Sequence, residues 1–332
     1  MPKPFAPPKL RPGGHIRVLS PSSSVVHIGG FEANLAAKRR LEGLGFQVSF
    51  SEHYLENDLF GSAGIASRVA DIHQAFADAS VDAVLATIGG FNSNELLPHL
   101  DFDLIRRNPK IFCGYSDTTA VLSAIFAKTG LMTYYGASYS AFKMEELQEY
   151  QTQSWLSAVT RSRYGLEPGA QWSSDKWFLP DVRRCLFDTE WKVYRPEAGK
   201  RAQGRAVGGN LATFALLNGT PYAVNTADLG DYVLFLESSE SHDYLAVSRQ
   251  LAAVLQVYPE PQAVVFGRFP TECGMTAERW RYILAKHEVL QRVPVLYDLD
   301  FGHTQPLFTF ALGARVRVDA EHLRIEVDEV AD

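Results

Sequence analysis

Ile111-Phe112-Cys113-Gly114-Tyr115-Ser116-Asp117-Thr118-Thr119 is the stretch on which the fold turns. An apolar run enters a glycine and then a serine, and residues 118–128 follow with helix-compatible composition. Strand, sharp turn and helix in immediate succession describe a nucleophile elbow, with the serine exposed at the apex and a helix N-terminus behind it. A serine hydroxyl is a useful nucleophile only when it is exposed, oriented and next to a base. The helix N-terminus offers unpaired N–H groups and a positive dipole end to a developing oxyanion. The competing reading is an ordinary Ser-Asp helix cap, because both residues are favoured there. Gly-x-Ser-x-Gly, the α/β-hydrolase form of the elbow, is not matched, since Thr118 stands two places after the serine.

The same strand-then-helix rhythm spreads outward from this stretch. Residues 16–19, 46–50, 81–88 and 111–115 read as strands, and 32–44 and 67–79 as helices, the first stopping at Gly45. Alternation of this kind predicts βαβ units and a parallel sheet with its functional loops at the strand C-termini. Gly89-Gly90 and Ser116 both fall at such ends. Residues 143–163 read as a polar helix. Beyond Gly204 the rhythm resumes, with Gly208-Gly209-Asn210 opening a helix at 211–217. Strands follow at 232–236, 263–266 and 294–297, and helices at 244–255 and 276–287. Residues 308–327 alternate as strands. The predicted fold class is α/β, an N-terminal Rossmann-like parallel-sheet domain (1–165) and a smaller C-terminal α/β domain (204–332). Residues 166–203 are the exception. Proline, glycine and aromatics without periodicity mark a connection and a loop able to cover the site.

Composition narrows the function. A chain of 332 residues suits two domains, and 46% hydrophobic with 21% charged residues is ordinary globular material. A net charge of −6 without a basic stripe gives no footprint for a nucleic-acid polymer. No apolar run approaches the ~20 residues of a membrane span, and the N-terminus lacks a signal-peptide core. A cytoplasmic location is the expectation. Cys113, Cys185 and Cys273 are scattered without metal spacing, and neither HExxH, a P-loop nor Gly-x-Gly-x-x-Gly occurs. Neither a metal nor a cofactor is predicted.

A serine nucleophile requires a base and a carboxylate to orient it. Among nine histidines, His303 stands out, since Gly302 before it and Pro306 after it describe a tight loop leaving a strand. A hydrogen-bonded loop histidine is the alternative at that position. Glu237 ends the apolar run Val233-Leu234-Phe235-Leu236, where an acid is placed for a site but equally for capping a turn. The amide of Asp117 and one from Gly89-Gly90-Phe91 are the natural oxyanion donors, a plain glycine turn being the alternative. Trp177 and Trp191 lie in the least core-like segment and are candidates for binding a flat group.

Ser20-Pro21-Ser22-Ser23, Gly89-Gly90, Pro109-Lys110 leading to Gly114-Tyr115-Ser116-Asp117, Gly208-Gly209-Asn210-Leu211, Leu236-Glu237 and Gly302-His303 occur in one order over nearly the whole chain. Together they resemble the LD-carboxypeptidase family of serine peptidases. The resemblance implies Ser116 as nucleophile, Glu237 as acid, His303 as base, and oxyanion amides at Gly90 and Asp117. It also implies the serine on an N-terminal domain, the acid and base on a C-terminal one, a homodimer and no metal. A carboxypeptidase must recognise an anion, and Asn210 is the candidate for that contact.

Two substrates are open within the family: a muropeptide that loses a terminal D-alanine, and an aminoacyl- or peptide-nucleotide of the microcin C kind. Gly90-Phe91-Asn92-Ser93-Asn94, Glu237-Ser238-Ser239-Glu240 and the Trp-bearing stretch 172–191 resemble the second branch. A catalytically silent two-lobed binding protein is the rival of a different class.

Overall fold

The computed structural model describes residues 1–176, 178, 184–195 and 199–331. In the first half, β1 (His15–Leu19), β2 (Gln47–Phe50), β3 (Ala83–Ala86), β4 (Ile111–Gly114) and β5 (Thr133–Tyr135) lie parallel in the order β2-β1-β3-β4-β5. Helices Leu35–Gly43, Ile65–Ala77, Phe102–Arg107 and Thr119–Thr129 are the crossovers. β3 and β4 are buried on both faces, which is why they read as unbroken apolar runs. Helix Thr119–Thr129 buries every residue except Lys128, so the helix behind Ser116 is itself core.

The second half supplies β6 (Arg163–Leu166), the short β7 (Gln171–Trp172), β8 (Phe187–Asp188) and β9 (Lys192–Val193), then β10 (Arg201–Asn210), β11 (Tyr232–Glu237), β12 (Ala263–Gly267), β13 (Val295–Leu299), β14 (Phe310–Leu312), β15 (Arg315–Asp319) and β16 (Arg324–Asp328). An eight-stranded sheet in the order β6-β16-β15-β10-β11-β12-β13-β9 has a parallel centre, β10 to β13, flanked by antiparallel strands. The fold is therefore α/β with two sheets that each carry parallel strands. β14 leaves this half and pairs antiparallel with β5, completing the edge of the first sheet.

Three local readings differ from the sequence. The helix expected over 143–163 runs from Gln148 to Thr160, because Leu147 sits in the left-handed region at φ 63° and delays its start. Gly208 and Gly209 end the ten-residue strand β10, and Asn210 caps helix Leu211–Leu216 by accepting from the Thr213 amide at 3.2 Å. The stretch expected as a connection is pinned at several points. β9 pairs with β13, β7 pairs with β8, and Ser173 exchanges both backbone hydrogen bonds with Gln305, at 2.8 and 2.9 Å.

Candidate active site

β4 delivers the chain into Tyr115, and Ser116 then adopts φ 60°, a conformation few non-glycine residues take. Strain of that kind persists only where the surroundings over-determine it. Here the Ser116 amide donates to Tyr135 Oη at 3.1 Å, and its carbonyl accepts from Thr119 Oγ1 at 2.5 Å. Gly89 completes the clamp. A Cβ there would fall 2.7 Å from Ser116 Cβ and 3.6 Å from the Asp117 nitrogen, so the glycine lets the β3 loop lie against the elbow. Asp117 is buried, and its carboxylate accepts from Ser22 Oγ at 2.5 Å and the Ser93 amide at 2.8 Å. The Ser20-Pro21-Ser22-Ser23 segment thus braces the elbow from below.

The Ser116 hydroxyl makes no cap. Its Oγ lies 2.9 Å from His303 Nε2, and His303 Nδ1 lies 2.6 Å from Glu237 Oε2. Glu237, the last residue of β11, is fully buried. Its other oxygen accepts from Tyr135 Oη at 2.6 Å and Asn210 Nδ2 at 3.0 Å. A buried carboxylate with three donors is well satisfied. Burial pushes its carboxyl pKa up, but the His303 charge and these hydrogen bonds outweigh that and hold it below the usual carboxylate range. His303 shows the reciprocal balance. Burial pulls its pKa down, while the charge and hydrogen bond of Glu237, aided by Glu240, carry it above the ordinary histidine value. Gly302 makes the ring–carboxylate contact possible: at φ 100° it turns the loop where a Cβ would sit 2.5 Å from Glu237 Oε2.

Serine, histidine and glutamate, from separate elements of two sheets, thus form one continuous hydrogen-bonded line. Such a line can move a proton from the hydroxyl to the ring while the carboxylate stabilises the resulting imidazolium. It opens on a cavity of about 590 Å³ whose lining includes Gly90, Phe91, Asn210, Glu240, His242 and Gln305. Gly90 sits there at φ 156°, with Ser22 Oγ 2.3 Å from where a Cβ would project. Asn210 reaches the cavity, yet its amide is occupied by Glu237 and its Oδ1 accepts from the Thr213 amide and hydroxyl.

Trp191 does not reach the cavity, which corrects its placement as a binder of flat groups. It is 2% exposed, donates from Nε1 to Asp300 Oδ2 at 2.9 Å and packs on Phe308, so neither face of the ring is open to a ligand. Trp177 lies outside the described residues. Tyr135 is the member of the site that sequence reasoning missed. The run Thr133-Tyr134-Tyr135 after Gly130 carries a strand signal, but nothing local ties that hydroxyl to Glu237. Among the described residues, no group of three His, Cys, Asp or Glu side chains is placed to hold a metal ion. No helix among them is long and apolar enough to cross a membrane.

Residues 16–136 match the family model of the LD-carboxypeptidase N-terminal domain, and residues 203–318 that of the LD-carboxypeptidase C-terminal domain. The crystal structure of an MccF-like protein from Bacillus anthracis superposes with a TM-score of 0.92 at 38% identity, over 98% of this chain and 99% of that one. The microcin C7 self-immunity protein MccF of Escherichia coli is 29% identical over 90% of each chain. Its structure in complex with aspartyl sulfamoyl adenosine has a TM-score of 0.87 at 27% identity, covering 98% of both chains. The murein tetrapeptide carboxypeptidase of Pseudomonas aeruginosa is 24% identical, over 94% of this chain and 95% of its own length.

Proposed function

Because the chain belongs to the LD-carboxypeptidase family and is a serine carboxypeptidase-type hydrolase, we propose that Ser116, His303 and Glu237 are its catalytic triad and that its substrate is an aminoacyl- or peptide-nucleotide. The unbroken hydrogen-bonded line from Ser116 Oγ to Glu237 carries the first part. His303 Nε2 takes the serine proton as Oγ attacks the scissile carbonyl. Glu237, holding the Nδ1 proton, orients the ring and stabilises its cationic form. The amides of Gly90 and Asp117 receive the oxyanion. His303 then returns the proton to the leaving nitrogen, and a water molecule activated by the same ring releases the acyl group.

Likeness to the microcin C immunity proteins supports the nucleotide substrate, together with Glu237-Ser238-Ser239-Glu240 and with Ser174, Asp175 and Lys176, which line the cavity. Detoxification of aminoacyl-nucleotides in the cytoplasm by a homodimer completes this reading, and sedimentation analysis checks the dimer.

The test is hydrolysis of aspartyl-sulfamoyl-adenosine beside an LD-tetrapeptide muropeptide, each with a Ser116→Ala control. Release of sulfamoyl-adenosine, reduced on the order of 10⁴-fold in the variant, is the expected outcome. Release of D-alanine instead would make the chain a murein-recycling enzyme. A variant as active as the parent would remove Ser116 from its role.

A further inference from the structure

Glu240 lies three residues beyond Glu237 in the turn that leaves β11, and its side chain lines the same cavity as Ser116 and His303. The other acidic side chains of that lining are engaged. Asp175 accepts from Ser173 Oγ at 3.3 Å and from the Cys185 amide at 2.5 Å, and Glu272 accepts from Thr271 Oγ1 at 3.2 Å. Glu240 is exposed, and among the described residues no hydrogen bond or ion pair holds its carboxylate. Lys176 and Arg249, also on the lining, form no ion pair with it among the described residues. The catalytic cavity therefore contains an uncompensated negative charge a short turn away from the triad acid. A carboxylate so placed accepts charge-assisted hydrogen bonds from a cationic ligand group and disfavours an anionic one.

We infer that Glu240 is a specificity-determining residue that receives the free α-ammonium group of the acyl residue. This rests on the reading of the substrate as an aminoacyl-nucleotide. In such a substrate the α-nitrogen is two bonds from the carbonyl that Ser116 attacks, so its receptor has to stand beside the triad, on the acyl side. Three residues of chain span at most ~10 Å, which keeps Glu240 in reach of that position. The contact also explains why an acid, rather than a neutral polar residue, tops a turn otherwise made of Ser238, Ser239 and Ser241.

The experiment compares aspartyl-sulfamoyl-adenosine with succinyl-sulfamoyl-adenosine, which lacks only the amine, on the parent enzyme, Glu240→Gln and Glu240→Lys. The parent should prefer the aspartyl compound, and Glu240→Gln should lower kcat/KM for it by about 10- to 100-fold, the weight of a charge-assisted hydrogen bond. The succinyl compound should change less than threefold with Glu240→Gln, and Glu240→Lys should turn the preference toward it. Any effect of Glu240 on His303 acts on both compounds alike and cancels in the ratio. Equal loss on both compounds, or none on either, overturns the role of Glu240 while leaving the nucleotide reading intact. Failure of the parent to release sulfamoyl-adenosine from the aspartyl compound overturns the substrate reading itself, before any variant is made, and this inference with it.

Discussion

Tyr135 holds two parts of the site at once, through one hydroxyl that accepts from the Ser116 amide and donates to Glu237 Oε1. Tyr135→Phe removes both hydrogen bonds without changing the ring. A bond to a charged group contributes about 1.5–3 kcal/mol, so kcat should fall about 10- to 100-fold with KM little altered. Steady-state kinetics measures the split, and a change in KM alone would place Tyr135 outside the relay. Asn210→Ala should act in the same sense, because its amide serves Glu237. The pH dependence follows from His303. The base must be neutral, and its pKa stands above the ordinary ~6.5, so kcat/KM should fall on acidification through a limb above that value. Glu237→Gln removes the charge that raises it and should move the limb to lower pH, as a pH–rate profile would record. The sequence signals behind the three residues of the proposed relay are local: Ser116 follows the strand run that ends in Gly114, Glu237 closes an apolar run, and His303 follows Gly302 in a tight loop. Tyr135 has no such local signal, since its role depends on a partner 102 residues away. Trp191 shows the opposite case: an aperiodic, aromatic neighbourhood carries no sign of the buried Asp300 that takes its indole N–H.

Elements explain which parts of the fold could be read and which could not. Apolar runs and helical periods are local, so β1, β3, β4, β11 and β12 and helices Leu35–Gly43, Ile65–Ala77, Thr119–Thr129 and Tyr244–Val257 lie within a few residues of expectation, whereas the short crossover Phe102–Arg107 has too few turns to show a period. The pairing of β14 with β5 and of β9 with β13 is decided by contacts far apart in sequence, and no local period encodes them. The loop from β13 to β14 carries His303 across from one sheet to the other, and its turn depends on Gly302. Gly302→Ala combines a positive φ with a Cβ 2.5 Å from Glu237 Oε2. A cost of about 1–3 kcal/mol is expected from the backbone alone, with the ring displaced from Ser116. Thermal denaturation should show a lowered Tm and the activity assay a larger loss than stability accounts for. Full activity in that variant would mean the loop accommodates the methyl group elsewhere.

At the scale of the molecule, both ends of the chain meet on the first sheet. Lys9 Nζ pairs with Glu329 Oε2 at 2.6 Å and donates to the Ala158 carbonyl, while Tyr134 Oη of β5 donates to the same carboxylate oxygen at 2.8 Å. The Glu329 side chain has no exposure, so Lys9→Met strands a buried charge and should destabilise the fold by about 3–5 kcal/mol. Urea denaturation monitored by tryptophan fluorescence would measure it, and an unchanged midpoint would show that Tyr134 alone suffices. The strand that β14 lends to the first sheet has a consequence for genetics. A gene divided after codon 162, between helix Gln148–Thr160 and β6, would encode one product with an open margin at β5 and another carrying an unpaired ribbon, each prone to precipitate when made alone. Made together in one cell, the two products would restitch that margin and restore hydrolysis, so rearrangements that trade one half for a foreign counterpart meet a barrier that point substitution does not.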